Sequence, residues 1–285
     1  MKFSIVTVCL NPGEKLNKTL ASVFSQTYGD WEVIVKDGGS TDGAVAVWQQ
    51  EHAGHPEFDK VKVYVEPDKG IYDAMNQAVA HANGEYVVFL NCGDTFADEN
   101  VLTDVAARMA GEDIETEAAD ARGRAEEALH KPDVFYGDTI GEKNGVVIAS
   151  PPKMSGFTCY RNIPCHQSCF YRRELCVEKP YDLTYKIRAD YDHFLWCFYR
   201  AKAEFAYLGF AVSAYEGGGY SESRANKQRD AQEFKKITSV YMSKGELLKY
   251  KSIMLLTLAP LRRILAESKL FSGLYHALKG MVYGK

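Results

Sequence analysis

The chain has 285 residues, 46% hydrophobic and 25% charged, which is enough to bury a sizeable core as one large domain or one and a half. Its formal charge of −4 excludes a whole-surface affinity for phosphate backbones, so nucleic acid is not an expected partner. The opening apolar run is too short for a secretion signal and no run approaches the roughly 18 residues of a membrane helix. With seven scattered cysteines that fit reduced thiols, a cytoplasmic location is expected.

Phe3 to Leu10 reads as a first strand, and Lys15 to Ser25 follows with Leu16, Leu20, Val23 and Phe24 at helical spacing. Trp31 to Lys36 (WEVIVK) is a second strand, stopped by DGGSTDG; Ala44 to Gln50 is compatible with a helix and Val61 to Val65 with a third strand. Residues 71 to 82 place Ile71, Met75, Ala78, Val79 and Ala82 on one helical side, and Glu85 to Leu90 (EYVVFL) forms a fourth strand. Alternating strands and helices predict a mostly parallel sheet, so the first hundred residues read as a doubly wound, Rossmann-like nucleotide-binding half.

In such a sheet ligands bind beyond the carboxyl ends of the strands. Thr7 and Asn11 end the first strand, Asp37 and Asp42 the second, Glu66 and Asp68 the third, and Asn91, Gly93 and Asp94 the fourth. Carboxylates converging beside glycine-rich turns repel one another and a bare phosphate, which points to a divalent cation, Mg²⁺ or Mn²⁺. For each aspartate alone, a turn or N-cap role is the alternative. No P-loop and no G-x-G-x-x-G follows the first strand, so an ordinary NTPase or dinucleotide enzyme is not indicated.

Taken in order, "FSIVTVCLN", "VKDGGSTDG", "EPDKGIYDAMNQAVAHANGEYVVFLNCGD", "HQSCFYRREL" and "IRADYDHFL" resemble the family 2 glycosyltransferases of the GT-A fold, especially those that build bacterial surface polysaccharides. The resemblance spans roughly residues 1 to 220. It implies an α/β GT-A fold, with a nucleotide-binding half at 1–98 fused to an acceptor-binding half at 131–220. It also implies transfer of one sugar from a nucleotide-diphosphate donor, with UDP preferred, to a saccharide or lipid-linked saccharide, by a metal-dependent, inverting single displacement. The implied nucleotide contacts are Thr7, Asn11, Asp37 and Asp68, with Lys69 near the phosphates. The family's D-x-D signature appears as N-C-G-D: Asn91 and Gly93 depart from it and Asp94 is the matching metal ligand.

An acceptor hydroxyl becomes a competent nucleophile only as its proton is removed, and a carboxylate suffices. The family's E-D pair maps to Ala189-Asp190, making Asp190 the implied base, with Asp192 two residues on as the rival. Helix capping is the alternative for both. His166 and Gln167 match the family's H-Q segment on the donor-phosphate or acceptor side, and a structural histidine is the alternative at 166. Zinc at Cys159, Cys165, His166 and Cys169 is disfavoured because these ligands form one crowded segment rather than two separated pairs. The Q-x-x-R-W signature of processive synthases is absent.

Residues 111 to 130 form an acidic, Ala-rich insertion, and Gly217 to Ser221 a glycine-rich loop followed by Arg224, Lys227 and Arg229, which read as a solvated basic face. Residues 221 to 285 form a helical tail. From Lys244 onward it carries a formal +6, in a helix-compatible pattern broken at Pro260. Such a tail fits peripheral contact with the inner face of the cell membrane, or packing on the domain or in a homodimer. A nucleotidyltransferase of the same fold, and a non-catalytic nucleotide-sugar-binding module or scaffold that kept the pocket, are the competing functional readings.

Overall fold

The computed structural model describes residues 2–111, 131–217 and 226–256. The strands are β1 (Phe3–Cys9), β2 (Trp31–Asp37), β3 (Val61–Val65), β4 (Tyr86–Phe89), β5 (Thr95–Phe96), β6 (Val134–Gly141), β7 (Val146–Ile148), β8 (Cys169–Arg172) and β9 (Phe205–Tyr215). The helices are α1 (Lys15–Phe24), α2 (Ala44–His52), α3 (Ile71–His81), α4 (Val101–Ala110), α5 (Gly156–Arg161), α6 (Arg173–Glu178), α7 (Ala189–Trp196), α8 (Lys227–Tyr241) and α9 (Lys244–Leu256).

All nine strands share one sheet, in the order β3-β2-β1-β4-β8-β6-β9-β5, with β7 added to β6. The four strands expected from sequence pair in parallel, and every residue of β1 and β2 is buried. Burial on both faces is why these strands read as near-continuous apolar runs rather than alternating ones. Beyond β4 the pairing changes: β8 runs antiparallel to β4 and β6, β9 parallel to β6, and β5 antiparallel to β9. The parallel nucleotide-type half thus continues without a break into a mixed half.

Two apolar clusters cover the two faces. One joins Met75, Ala78 and Val79 of α3 to Phe194 and Leu195 of α7. The other joins Leu16, Leu20 and Val23 of α1 to Leu102 and Val105 of α4. The helical spacing of each set places it on one stripe, so burial of that stripe rather than propensity holds the helix. Gly84 marks where the chain entering β4 crosses β1: a Cβ there would meet the Ser4 backbone nitrogen at 2.5 Å.

The expected acidic insertion (from residue 112), the glycine loop from Gly218 to Ser221, Arg224, and the tail beyond Leu256 with Pro260 lie outside the described residues. Among the described residues no helix is long and apolar enough to cross a membrane.

Candidate active site

At the end of β4 the chain turns sharply. The Asp94 N–H donates to the Asn91 carbonyl at 2.9 Å, and Gly93, third residue of that four-residue turn, has φ +104. A positive φ at this place in a turn favours glycine. Thr19 of α1 clamps the turn from below: its hydroxyl accepts the Gly93 N–H at 2.9 Å and donates to the Asp94 carbonyl at 2.8 Å. Helix α1 and the turn together aim the Asp94 carboxylate into a cavity of about 490 Å³, whose walls include Asn91, His166, Gln167, Lys186, Asp190 and Glu216.

Asp94 is 6% exposed. The Glu216 backbone N–H reaches its Oδ1 at 3.1 Å and Gln167 Nε2 its Oδ2 at 3.4 Å. Burial dominates, only partly offset by the Glu216 N–H and His166, and raises the carboxyl from 3.8 to about 6. Beside it, Glu216 Oε2 pairs with Lys15 Nζ at 2.6 Å, and a Cβ on Gly93 would meet the same oxygen at 2.6 Å. Lys15 and Glu216 had no sequence signal beyond their type.

Asp190 occupies the first turn of α7 on another wall of the cavity. Its Oδ1 lies 3.0 Å from the Tyr72 hydroxyl of α3 and its Oδ2 lies 3.6 Å from His166 Nδ1. His166 Nε2 is in turn 3.1 Å from Asn91 Nδ2, so a chain of contacts links the β4 turn to the α7 carboxylate. Burial pushes Asp190 upward, but His166 and the Tyr72 hydroxyl outweigh it and hold the carboxyl below its ordinary value. From outside, Glu233 of α8 accepts the backbone N–H groups of Lys186, Ile187 and Arg188 at 2.9–3.0 Å, and Arg188 pairs with Asp230 at 2.7 Å. Helix α8 therefore fixes the approach to α7.

Asp192 does not join this cavity. Two residues along a helix turn the side chain by about 200°, which sends it to the opposite side. There it is 4% exposed and held by Lys179 Nζ and the Tyr241 hydroxyl, each at 3.0 Å. Thr7 does not line this cavity either: it is fully buried and donates to the Leu90 carbonyl at 2.9 Å, stapling β1 to β4.

The remaining expected nucleotide contacts cluster at the ends of β1, β2 and β3. Asp37 Oδ1 accepts from the backbone of Gly39 and Ser40 and from the Ser40 hydroxyl; Asn11, at φ +50, accepts the Thr41 N–H at 2.8 Å. Asp42 accepts the Gly13 N–H at 2.9 Å. Asp68 accepts the Gly70 N–H at 2.9 Å, and its other oxygen lies 3.3 Å from Lys36 Nζ. Lys36 is fully buried and also donates to the Asp37 and Glu66 carbonyls, tying the ends of β2 and β3 together. A lysine inside an apolar strand immediately before Asp37 was the signal for this residue. Lys69 points elsewhere and lines a second cavity. Cys159 and Cys169 are core residues, the latter donating to the Cys165 carbonyl at 3.3 Å.

Among the described residues Asn91 Oδ1 is buried without a hydrogen-bond partner, an acceptor whose place beside Asp94 fits a cation or a ligand hydroxyl. Among the described residues no group of three His, Cys, Asp or Glu side chains is placed to hold a metal ion. One or two carboxylates completed by substrate phosphates is the usual way Mg²⁺ is held, so Asp94, with Glu216 adjacent, fits a cation brought in by a diphosphate.

Residues 4–144 match the family described as Glycosyl transferase family 2. A PGL/p-HBAD biosynthesis glycosyltransferase of Mycobacterium bovis, and one of Mycobacterium tuberculosis, are 32% identical over 230 residues, covering 79% of this chain and 81% of theirs. This chain is a family 2 glycosyltransferase. An uncharacterized glycosyltransferase of Mycobacterium tuberculosis is 30% identical over 194 residues, 67% of each chain. Among solved structures, Staphylococcus aureus TarS 1-349 in complex with UDP-GlcNAc superposes with a TM-score of 0.64 at 18% identity, covering 95% of this chain and 74% of that one. Mannosyltransferase PcManGT from Pyrobaculum calidifontis, in complex with GDP-Man and Mn²⁺, gives 0.60 at 15% identity, covering 96% and 83%. These two likenesses establish the GT-A fold for the glycosyltransferase.

Proposed function

We propose that the glycosyltransferase moves one sugar from a nucleotide-diphosphate donor, with UDP-sugar preferred, to a hydroxyl of a saccharide or lipid-linked saccharide, with inversion in a single displacement, in the building of cell-surface polysaccharide. The observation that carries this reading is that Asp94 and Asp190 line the same cavity with opposite protonation tendencies, one raised to about 6 and one held low. A carboxylate held low is ionised at neutral pH and ready to accept a proton. In the proposed reaction the acceptor oxygen bonds to the anomeric carbon as its proton passes to Asp190, and the bond from that carbon to the diphosphate oxygen breaks. The Tyr72 hydroxyl and His166 orient the base.

Asp94, with Glu216 beside it, would hold the divalent cation, which when bound offsets charge on the departing diphosphate. Mn²⁺ in the PcManGT complex supports this cofactor, and the UDP-GlcNAc complex of TarS and the GDP-Man complex of PcManGT support a nucleotide-sugar donor. Asn11, Asp37 and Asp68, with the buried Lys36 behind them, are assigned to the nucleoside end within a donor half of residues 1–98, and residues 131–220 to the acceptor half. Ile71, Met75, Ile163 and Pro164 give the cavity apolar walls that keep competing water from the sugar.

The test is a hydrolysis panel of UDP-, GDP- and dTDP-sugars with Mn²⁺ or Mg²⁺. One donor should release its nucleoside diphosphate in a metal-dependent way. Asp94→Ala should abolish release, and Asp190→Asn should lower transfer about 10²–10⁴-fold while leaving donor binding within a few fold. Donor binding without turnover, indifferent to Asp190→Asn, would instead make the protein a nucleotide-sugar-binding module.

A further inference from the structure

A second cavity, of about 450 Å³, opens on the other side of Ile71, Tyr72 and Lys186, which line both cavities. Its wall carries three cations, Lys69, Lys186 and Arg229, supplied by the loop before α3, the loop before α7 and the first turns of α8. Among the described residues none of the three takes part in an ion pair. The acid in this wall, Asp73, has Oδ2 occupied by the Lys69 N–H at 2.8 Å and Gln77 Nε2 at 3.2 Å. Tyr72 and Tyr185 supply aromatic surface, and Lys236 Nζ stands 4.7 Å from the centre of the Tyr185 ring.

Three cations against one carboxylate, Asp73, in one concavity of a chain whose formal charge is −4 create a local field opposite to that of the molecule as a whole. Lysine and arginine at such a place grip phosphate or carboxylate oxygens, while aromatic walls accept the apolar face of a sugar ring. The wall shared with the first cavity includes Tyr72, whose hydroxyl lies 3.0 Å from Asp190. A molecule seated in the second cavity is therefore one side chain away from the proposed base.

Resting on the glycosyltransfer reading above, we propose that this cavity is an acceptor subsite selective for a sugar carrying an anionic group, phosphate or carboxylate, with Lys69, Lys186 and Arg229 as its anion contacts. The acceptor's ring lies against Tyr72 and Tyr185 and its reacting hydroxyl passes Tyr72 to reach Asp190.

The test uses the full chain saturated with UDP and Mn²⁺, which closes the donor side, titrated by calorimetry with glucose 1-phosphate, glucuronate and methyl glucoside. One of the two anionic sugars should bind at least about tenfold more tightly than the neutral one. Lys186→Gln and Arg229→Gln should each weaken it about three- to tenfold, the double variant should erase the preference, and Lys186→Arg with Arg229→Lys should retain it. Preference for glucose 1-phosphate assigns the anion to a phosphate such as that of a lipid-linked sugar; preference for glucuronate assigns it to an acidic saccharide. Equal affinity for methyl glucoside, no binding of either anionic sugar at millimolar concentration, or anion binding unchanged in the double variant would overturn the proposal. A separate titration with UDP or GDP alone, run first, reports on the donor reading by itself, because its failure would sink that reading whatever the second cavity does.

Discussion

On the proposed cation role, replacing Asp94 by Asn should abolish metal-dependent turnover and, without metal, make the fold more stable at neutral pH. Asn keeps the volume and the acceptor for the Glu216 N–H but carries no charge, whereas the native carboxylate must ionise at 6% exposure. Its pKa in the folded chain is about 6 against 3.8 for the free group. At 1.36 kcal/mol per pH unit, the ionised form therefore costs about 3 kcal/mol on folding. The sign follows from linkage: the protonated folded group is favoured, so the native chain keeps its full stability below pH 3.8 and loses it as pH rises through about 6. Urea unfolding in EDTA at several pH values should show the two proteins alike near pH 4 and the variant ahead by about 3 kcal/mol above pH 7, or roughly 6–12 °C in Tm. Chelation matters, because a cation bound to the carboxylate stabilises the native chain by mass action. A variant less stable than the native chain at pH 8, or a difference that does not change with pH, would refute the argument from burial. The same proton competes with the cation, so Mn²⁺ affinity should fall about tenfold per pH unit below about 6, read by titration calorimetry.

Tyr72→Phe removes the hydroxyl that orients Asp190, the proposed base, so kcat at neutral pH should fall by about tenfold through lost positioning, while the acidic limb of the pH profile moves to higher pH as the carboxyl's pKa rises. An unmoved limb would show that the hydroxyl does not act on the base. Gly93→Ala forces a Cβ to 2.6 Å from Glu216 Oε2 at a φ of +104; thermal melting should show a loss of about 1–3 kcal/mol, accompanied by weaker donor binding. Lys36→Met leaves Asp68 and two strand-end carbonyls without their donor; urea denaturation should show a loss of about 3–5 kcal/mol, with nucleotide affinity reduced because the ends of β2 and β3 separate.

The sequence by itself determined the parallel half of this protein. Apolar runs such as FSIVTVC, helical stripes such as Met75, Ala78 and Val79, and stops such as DGGSTDG are local signals, because side-chain period and turn chemistry are properties of a few consecutive residues. They marked the strand end that carries Asn91 and Asp94; His166 and Asp190 came only from the family motifs, and the fold is what brings the four to the wall of one cavity. Tertiary structure decided which polar groups face that site. Asp190 and Asp192 look equivalent in a string, yet helical rotation sends one into the cavity and buries the other against Lys179 and Tyr241. Asp37 ends β2 as expected and organises its own loop, whereas Thr7 lies inside β1, two residues short of its end at Cys9, where burial makes it a staple to β4. A partner of Asp190 comes from Tyr72, 118 positions away along the chain, and the cover over Asp94 comes from Glu216, 122 positions away. Such pairings leave no periodicity, since they arise only when β8, β6 and β9 extend the sheet past β4 and close the second half over the first.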